Sequence, residues 1–329
     1  MVKWLTLCAA TFVDRQRNLI RSEGGHEMNY SRRDFLQVSA AGLAALTPSF
    51  PAYAAAKDAK FKLAAPDWSL RKEAKLEALA LAQTIGFTGV QISIGRGARG
   101  ATIDKLPLSD PALQKQYLAE AKKLNCKLTS LCLEILHVNG LKSDPLGQRW
   151  VADSIPIAKA MGVQVILLPF FGRWQIKEKA EQERVGDILR EVAPQAEKLG
   201  VILGLEDTIS ARENVAIVER SKSSAVMTYY DVGNSAKEGY DVVEEIRWLG
   251  KSRICEVHLK EYPWEKFMGE GKINFPGVVD ALADIGFDKW AQLETSCPTN
   301  NVEADFKRNL NYIRDLVTKR NTKGSAAKA

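Results

Sequence analysis

Val201-Ile202-Leu203-Gly204-Leu205-Glu206 decides the fold. It is a run of strand length, apolar but for one glycine, that ends on a single carboxylate. The same form returns three times, as Val226-Met-Thr-Tyr-Tyr-Asp231, Ile254-Cys-Glu-Val-His258 and Trp290-Ala-Gln-Leu-Glu294. The polar ends are spaced by 25, 27 and 36 residues, each about one strand-plus-helix unit. In a parallel barrel, side chains at the ends of successive strands converge at one mouth. Glu206, Asp231, His258 and Glu294 would then form an oxygen-rich site suited to a hard-to-borderline divalent metal.

Working outward, the pattern extends over the chain from Phe61. Strands are expected at Phe61–Ala65, Gly89–Ile94, Leu128–Ile135, Val163–Pro169, Val201–Glu206, Val226–Asp231, Arg253–Leu259 and Trp290–Glu294. Amphipathic segments such as Arg71–Ile85, Asp110–Leu124, Pro145–Met161, Lys177–Leu199 and Phe275–Ile285 lie between them. Eight such units give an α/β chain, a (β/α)8 TIM barrel occupying residues 55–320. Gly86, Gly162, Gly200 and Gly286 each stand after a helix and before a strand, where a left-handed residue turns the chain back. An open doubly wound sheet would carry a glycine-rich phosphate fingerprint after its first strand, and none is present. Gly95-Arg96-Gly97-Ala98-Arg99-Gly100 follows the second strand and reads as a rim loop.

The series Gly-Leu-Glu206, Tyr-Asp231-Val-Gly-Asn234, His258-Leu-Lys260-Glu261, Gly269-Glu270-Gly271 and Gln-Leu-Glu294 resembles the sugar phosphate isomerase/epimerase family with the xylose isomerase-like barrel. The resemblance spans about Phe61 to Leu316. It implies one divalent metal ion held by Glu206, Asp231, His258 and Glu294, with Glu206 and Glu294 also acting as the acid/base pair. Three carboxylates and one imidazole suit Mn²⁺, Mg²⁺ or Co²⁺, and Zn²⁺ also fits. Several epimerases of the family carry His three residues after the strand-six Asp, where this chain has Asn234. Asn donates a hydrogen bond but does not titrate near neutrality, which departs from the simplest free-ketose epimerase.

The chemistry accords with that reading. Isomerising a sugar beside a carbonyl removes a proton from a weak carbon acid, and a metal stabilises the resulting enediolate. Two carboxylates across the substrate can remove and return the proton. Lys260 lies two residues after His258, so in an extended strand both face the barrel interior, and Lys260 can stabilise negative charge. Each residue also has a plainer role open to it: Asp231 can cap the turn at Val232-Gly233-Asn234, and Lys260 can reach the rim beside Glu261. Substrate contacts are expected from Glu134, Asn234, Trp68 and Trp174, with His137, Phe170 and Phe171 as neighbours. The expected activity is a metal-dependent isomerase or epimerase on a carbohydrate or polyol carbonyl compound. The competing readings are a lyase or dehydratase on a keto-sugar and a non-catalytic sugar-binding barrel.

The first 54 residues are read separately. Ser31-Arg32-Arg33-Asp34-Phe35-Leu36-Gln37 is a twin-arginine motif, followed by a short apolar run from Val38 to Leu46 and by Ala52-Tyr53-Ala54. Residues 1–54 are expected to be a signal peptide read by the twin-arginine export machinery, with Met28 as a second possible start. The apolar run is too short to span a bilayer, so the product is expected in the periplasm without a membrane anchor. Residues 321–329, polar and small, are expected to form a disordered tail. Residues 1–54 hold six of the basic and four of the acidic side chains, so their loss takes the formal charge from +6 to +4. That mild balance, with no basic cluster interleaved with aromatics, disfavours nucleic-acid binding. Cys126, Cys132, Cys255 and Cys297 match neither a zinc knuckle nor a CxxC pair.

Overall fold

The structure, a computed structural model, describes residues 57–97 and 102–326. The export motif, the cleavage region and Ala98-Arg99-Gly100 of the rim loop lie outside the described residues. Eight strands are present among these: β1 Lys62–Pro66, β2 Gly89–Ser93, β3 Lys127–Cys132, β4 Val165–Pro169, β5 Ile202–Glu206, β6 Val226–Asp231, β7 Ile254–Leu259 and β8 Trp290–Leu293. They pair in sequence order, all parallel, and β1 also pairs with β8 to close the barrel. The helices between them are α1 Glu77–Ile85, α2 Pro111–Lys123, α3 Pro145–Ala160, α4 Lys179–Leu199, α5 Ala211–Ser221, α6 Val232–Lys237, α7 Val242–Arg253, α8 Phe275–Asp284 and α9 Val302–Ala326.

Strand alternation sorts the core into two layers. Val90, Ile166, Leu203 and Val257 pack outward with Leu79, Ile155, Leu189 and Ile246 of the helices in one large apolar cluster. Cys132, Leu167 and Tyr229, neighbours of outward-facing residues, form a small separate cluster with Trp68 against it. The four glycines expected to close helices all take positive φ, from 64° at Gly162 to 110° at Gly86. Gly86 donates its N–H to the carbonyls of Ala82 and Gln83, so it satisfies the end of α1 while redirecting the chain into β2.

Register puts the strand ends on one level. Pro169 is opposite Glu206, Asp231 opposite His258, and His258 opposite Gln292. Helix caps support the turns that carry the chain back: Asp110 and Asp144 each accept an amide N–H at the starts of α2 and α3, and Ser210 with Glu213 forms a capping box on α5.

Three expectations need correction. The third strand ends at Cys132, and Glu134–His137 form a 3-10 turn, because the Glu134 carboxylate accepts the N–H groups of Ile94 and Gly95 and draws the chain aside. α1 begins at Glu77 rather than Arg71; Arg71 and Ala74 take positive φ, and Asp67 accepts the Ala74 N–H within that turn. The tail does not begin at Asn321. α9 continues to Ala326, and the Asn321 side chain both accepts from and donates to the backbone of Ala59, which fixes the helix end to the chain entering β1.

Candidate active site

The four strand-end residues meet. Glu206, Asp231, His258 and Glu294 each offer one ligand atom, and these atoms all lie within 4.8 Å of one another. His258 Nδ1 is 2.7 Å from Glu206 Oε1, 3.5 Å from Glu294 Oε2 and 3.7 Å from Asp231 Oδ2. The ring is wholly buried, and its other nitrogen, Nε2, is 2.8 Å from Gln91 Oε1. An amide oxygen can only accept, so Nε2 carries the proton and Nδ1 turns its lone pair toward the carboxylates whenever the ring is neutral.

Asp231 divides its two oxygens. Oδ1 accepts the N–H groups of Gly233 and Asn234 at 2.7 and 2.8 Å and so caps α6. Oδ2 is buried without a hydrogen-bond donor and faces the quartet, with the Lys260 ammonium 3.4 Å away. Capping through Oδ1 thus leaves Oδ2 free to face the quartet. Lys260 Nζ is closer to Glu294 Oε2, at 2.7 Å, and the Trp68 indole N–H donates to Glu294 Oε1 at 2.9 Å. Each Glu294 oxygen is therefore aimed by a separate donor.

Electrostatics follow from this crowding. Burial by itself lowers the His258 pKa, but Glu206, Glu294 and Asp231 outweigh it and raise it to about 9. Burial raises Asp231 to about 8 even against Lys260. Burial would also raise Glu294, yet Lys260 and His258 hold it down at about 2. Burial works against the Lys260 charge, and Asp231 and Glu294 keep it well above the ordinary lysine range. Three carboxylates against one ammonium leave two negative charges when the imidazole is neutral, the charge of one divalent ion. The orphaned Asp231 oxygen, the Nδ1 lone pair and that charge deficit fit a divalent metal.

A cavity of about 290 Å³ opens above the quartet and is lined by Trp68, Glu134, His137, Phe171, Asn234 and Lys260, among others. That volume is at the small end for ligand sites and suits a small molecule. Asn234 brings a buried Nδ2 with no acceptor, a donor available to a hydroxyl. Glu134 lines the wall, but both of its oxygens are engaged by Ile94 and Gly95, and burial raises it to about 8. Its first role is to hold the end of β2. Trp174 is not brought to the cavity. It packs over Gly140 and donates its indole N–H to the His137 carbonyl, while Phe171, stacked on His137, takes the wall position.

Sequence reasoning missed the layer beneath. Glu256, two residues before His258 on the same face of β7, is buried and accepts from Ser130 Oγ, Tyr229 Oη and Gln292 Nε2 at 2.7, 3.0 and 2.9 Å. Tyr229 also reaches Gln91 Oε1 at 3.3 Å, so this network supports the amide that orients His258. The signal available was the Glu256–His258–Lys260 alternation. Asp67 was missed as well; it holds Ser93 by its backbone N–H and hydroxyl at the end of β2.

The sequence pattern of the xylose isomerase-like TIM barrel matches residues 79–316. The chain belongs to that family. A relative from Actinoplanes sp., a 2-epi-5-epi-valiolone 7-phosphate 2-epimerase, is 27% identical over 187 residues, covering 56% of this chain and 67% of its own. Among solved structures, an L-ribulose 3-epimerase superposes with a TM-score of 0.66 at 18% identity, over 82% of this chain and 98% of that one. The IOLI protein with a bound zinc atom superposes at 0.62 and 20% identity, over 79% and 99%. These structures share the barrel of this xylose isomerase-like protein.

Proposed function

We propose that the protein is a sugar isomerase or epimerase that depends on one divalent metal and works through proton transfer between two carboxylates. The observation that carries this is the meeting of Glu206, Asp231, His258 and Glu294 beneath a small cavity, with Lys260 and Trp68 fixing Glu294. The names of the Actinoplanes relative and the ribulose epimerase support the same class.

The side chains divide the work. Glu294, held anionic by the Lys260 ammonium, takes the proton from the carbon beside the substrate carbonyl. The C–H electron pair moves into the C–C bond as the carbonyl oxygen becomes negative. Glu206, Asp231, His258 and Glu294 would hold a divalent ion, which would supply positive charge to stabilise the developing oxyanion. Lys260 adds a second cation at the same mouth, and Asn234 Nδ2 holds a neighbouring hydroxyl. Glu206, protonated from solvent, then delivers a proton, to the other face of the same carbon in an epimerase or, in an isomerase, to the former carbonyl carbon as the neighbouring hydroxyl proton passes to its oxygen. Glu294 gives the proton it took to solvent.

The test is turnover of neutral keto-sugars in deuterated water by the metal-loaded protein. Deuterium should appear at the reacting carbon of an isomeric product, and both Glu206→Gln and Glu294→Gln should stop it. An unsaturated product would replace this reading with elimination. We also propose export to the periplasm by the twin-arginine machinery, on the motif Ser31–Gln37. Amino-terminal sequencing of the periplasmic protein should give a start near residue 55; a start that retains Arg32 would sink it.

A further inference from the structure

A second cavity of about 430 Å³ adjoins the first and shares Trp68 and Glu294 with it. Its other walls include Trp264, Ser69, Arg71, Thr295 and Ser296. Nothing in the proton-transfer scheme uses it. Two features give it a chemical character. Trp68 and Trp264 offer indole faces on which the C–H face of a sugar ring can stack, and Trp264 is 38% exposed at the entrance, so its ring is reachable. Ser69 Oγ, Thr295 Oγ1 and Ser296 Oγ are all buried without a hydrogen-bond partner. Thr295 is only 2% exposed as a residue, and a buried hydroxyl left unpaired is costly.

Hydroxyls both donate and accept, so three of them together match a ligand whose surface is itself hydroxyls. An anion would instead call for unspent positive charge. Arg71 is engaged with Asn300 Oδ1 at 2.9 Å, and Glu265 and Glu294 stand on the same walls. The cavity therefore fits a neutral polyhydroxylated group.

We propose that this cavity is a subsite for a second sugar ring, so that the substrate is a glycoside rather than a free monosaccharide. This rests on the reading of the first cavity as the reacting sugar's site. The ring bearing the carbonyl occupies the first cavity, and the glycosidic substituent passes the Trp68–Glu294 pair into the second. Trp68 then has two roles, aiming Glu294 through its N–H and presenting its face to the second ring.

Calorimetric titration of the metal-loaded protein with gluco-, galacto- and manno-configured disaccharides, each against its own monosaccharide, tests this. At least one disaccharide should bind about tenfold or more tightly than its monosaccharide. Trp264→Ala and Thr295→Val should each remove most of that advantage while leaving the monosaccharide affinity in place. The proposal is overturned if no disaccharide gains over its single ring, if the gain survives both substitutions, or if both ligands weaken equally. Binding is read without turnover, so loss of the isomerase reading and loss of the subsite are separate results.

Discussion

At the scale of single residues, Glu294 is the most exposed to test. Glu294→Gln keeps the shape and the Trp68 contact but removes the base and the carboxylate that faces Lys260, so turnover should fall by roughly 10²–10⁴-fold while the far-ultraviolet circular dichroism stays that of the folded barrel. Gln91→Leu should leave the cavity walls intact and free the His258 ring to reorient. The expected outcome is a metal dissociation constant raised about 10–100-fold, read by titration against a chelating indicator. The metal-free protein should also show a defined pH dependence. His258 is raised to about 9 from an ordinary value near 6.5, so the stability it contributes is full below about 6.5 and is lost as pH rises through 9. Asp231, raised to about 8, acts in the same direction, because its burial disfavours the ion formed as pH rises. Urea midpoints in chelator should therefore fall between pH 6 and 9.5, and His258→Gln should flatten part of that fall. The meeting of the quartet was legible in the sequence because each member closes an apolar run. Gln91 was not legible: one amide in a buried strand breaks no pattern, and its partner lies 167 residues away.

At the scale of elements, the short helix α6 shows how backbone geometry sets side-chain position. A Cβ added at Gly233 would stand 2.7 Å from Lys260 Cγ and 2.8 Å from its Cβ. Gly233→Ala should therefore push the lysine stem away from Glu294. Activity should drop by about tenfold or more, with a stability cost of about 1–3 kcal/mol from overpacking, measured by kinetics and by denaturant unfolding on the same preparation. Strand positions were readable because β-rich runs alternate with amphipathic ones and glycine marks their junctions. The ends were less so. Glu134 looks like a strand terminus in the sequence, yet it bonds to amides forty residues earlier, across a neighbouring strand. Asp67 and Glu261 behave alike, each accepting backbone N–H groups of a loop at the barrel mouth. Three buried carboxylates thus tie down loops, and sequence alone does not separate such residues from ligands of a metal.

For the whole molecule, the metal and the fold are expected to be thermodynamically linked. At a metal concentration a hundredfold above the dissociation constant, binding contributes about 2.7 kcal/mol. Chelation should then lower the melting temperature by roughly 5–10 °C for a domain of this size. An unchanged melting temperature, together with no metal in the purified protein, would remove the metal from the scheme. Closure of the barrel has a consequence of its own for the order in which the molecule is made. β1 finds its second partner only in β8, through Lys62 opposite Trp290 and Ala64 opposite Gln292. The first strand must therefore wait, one edge unpaired, until almost the whole chain has left the ribosome. The last member of the quartet, Glu294, emerges with that final strand, so the quartet and the sheet are completed in the same event.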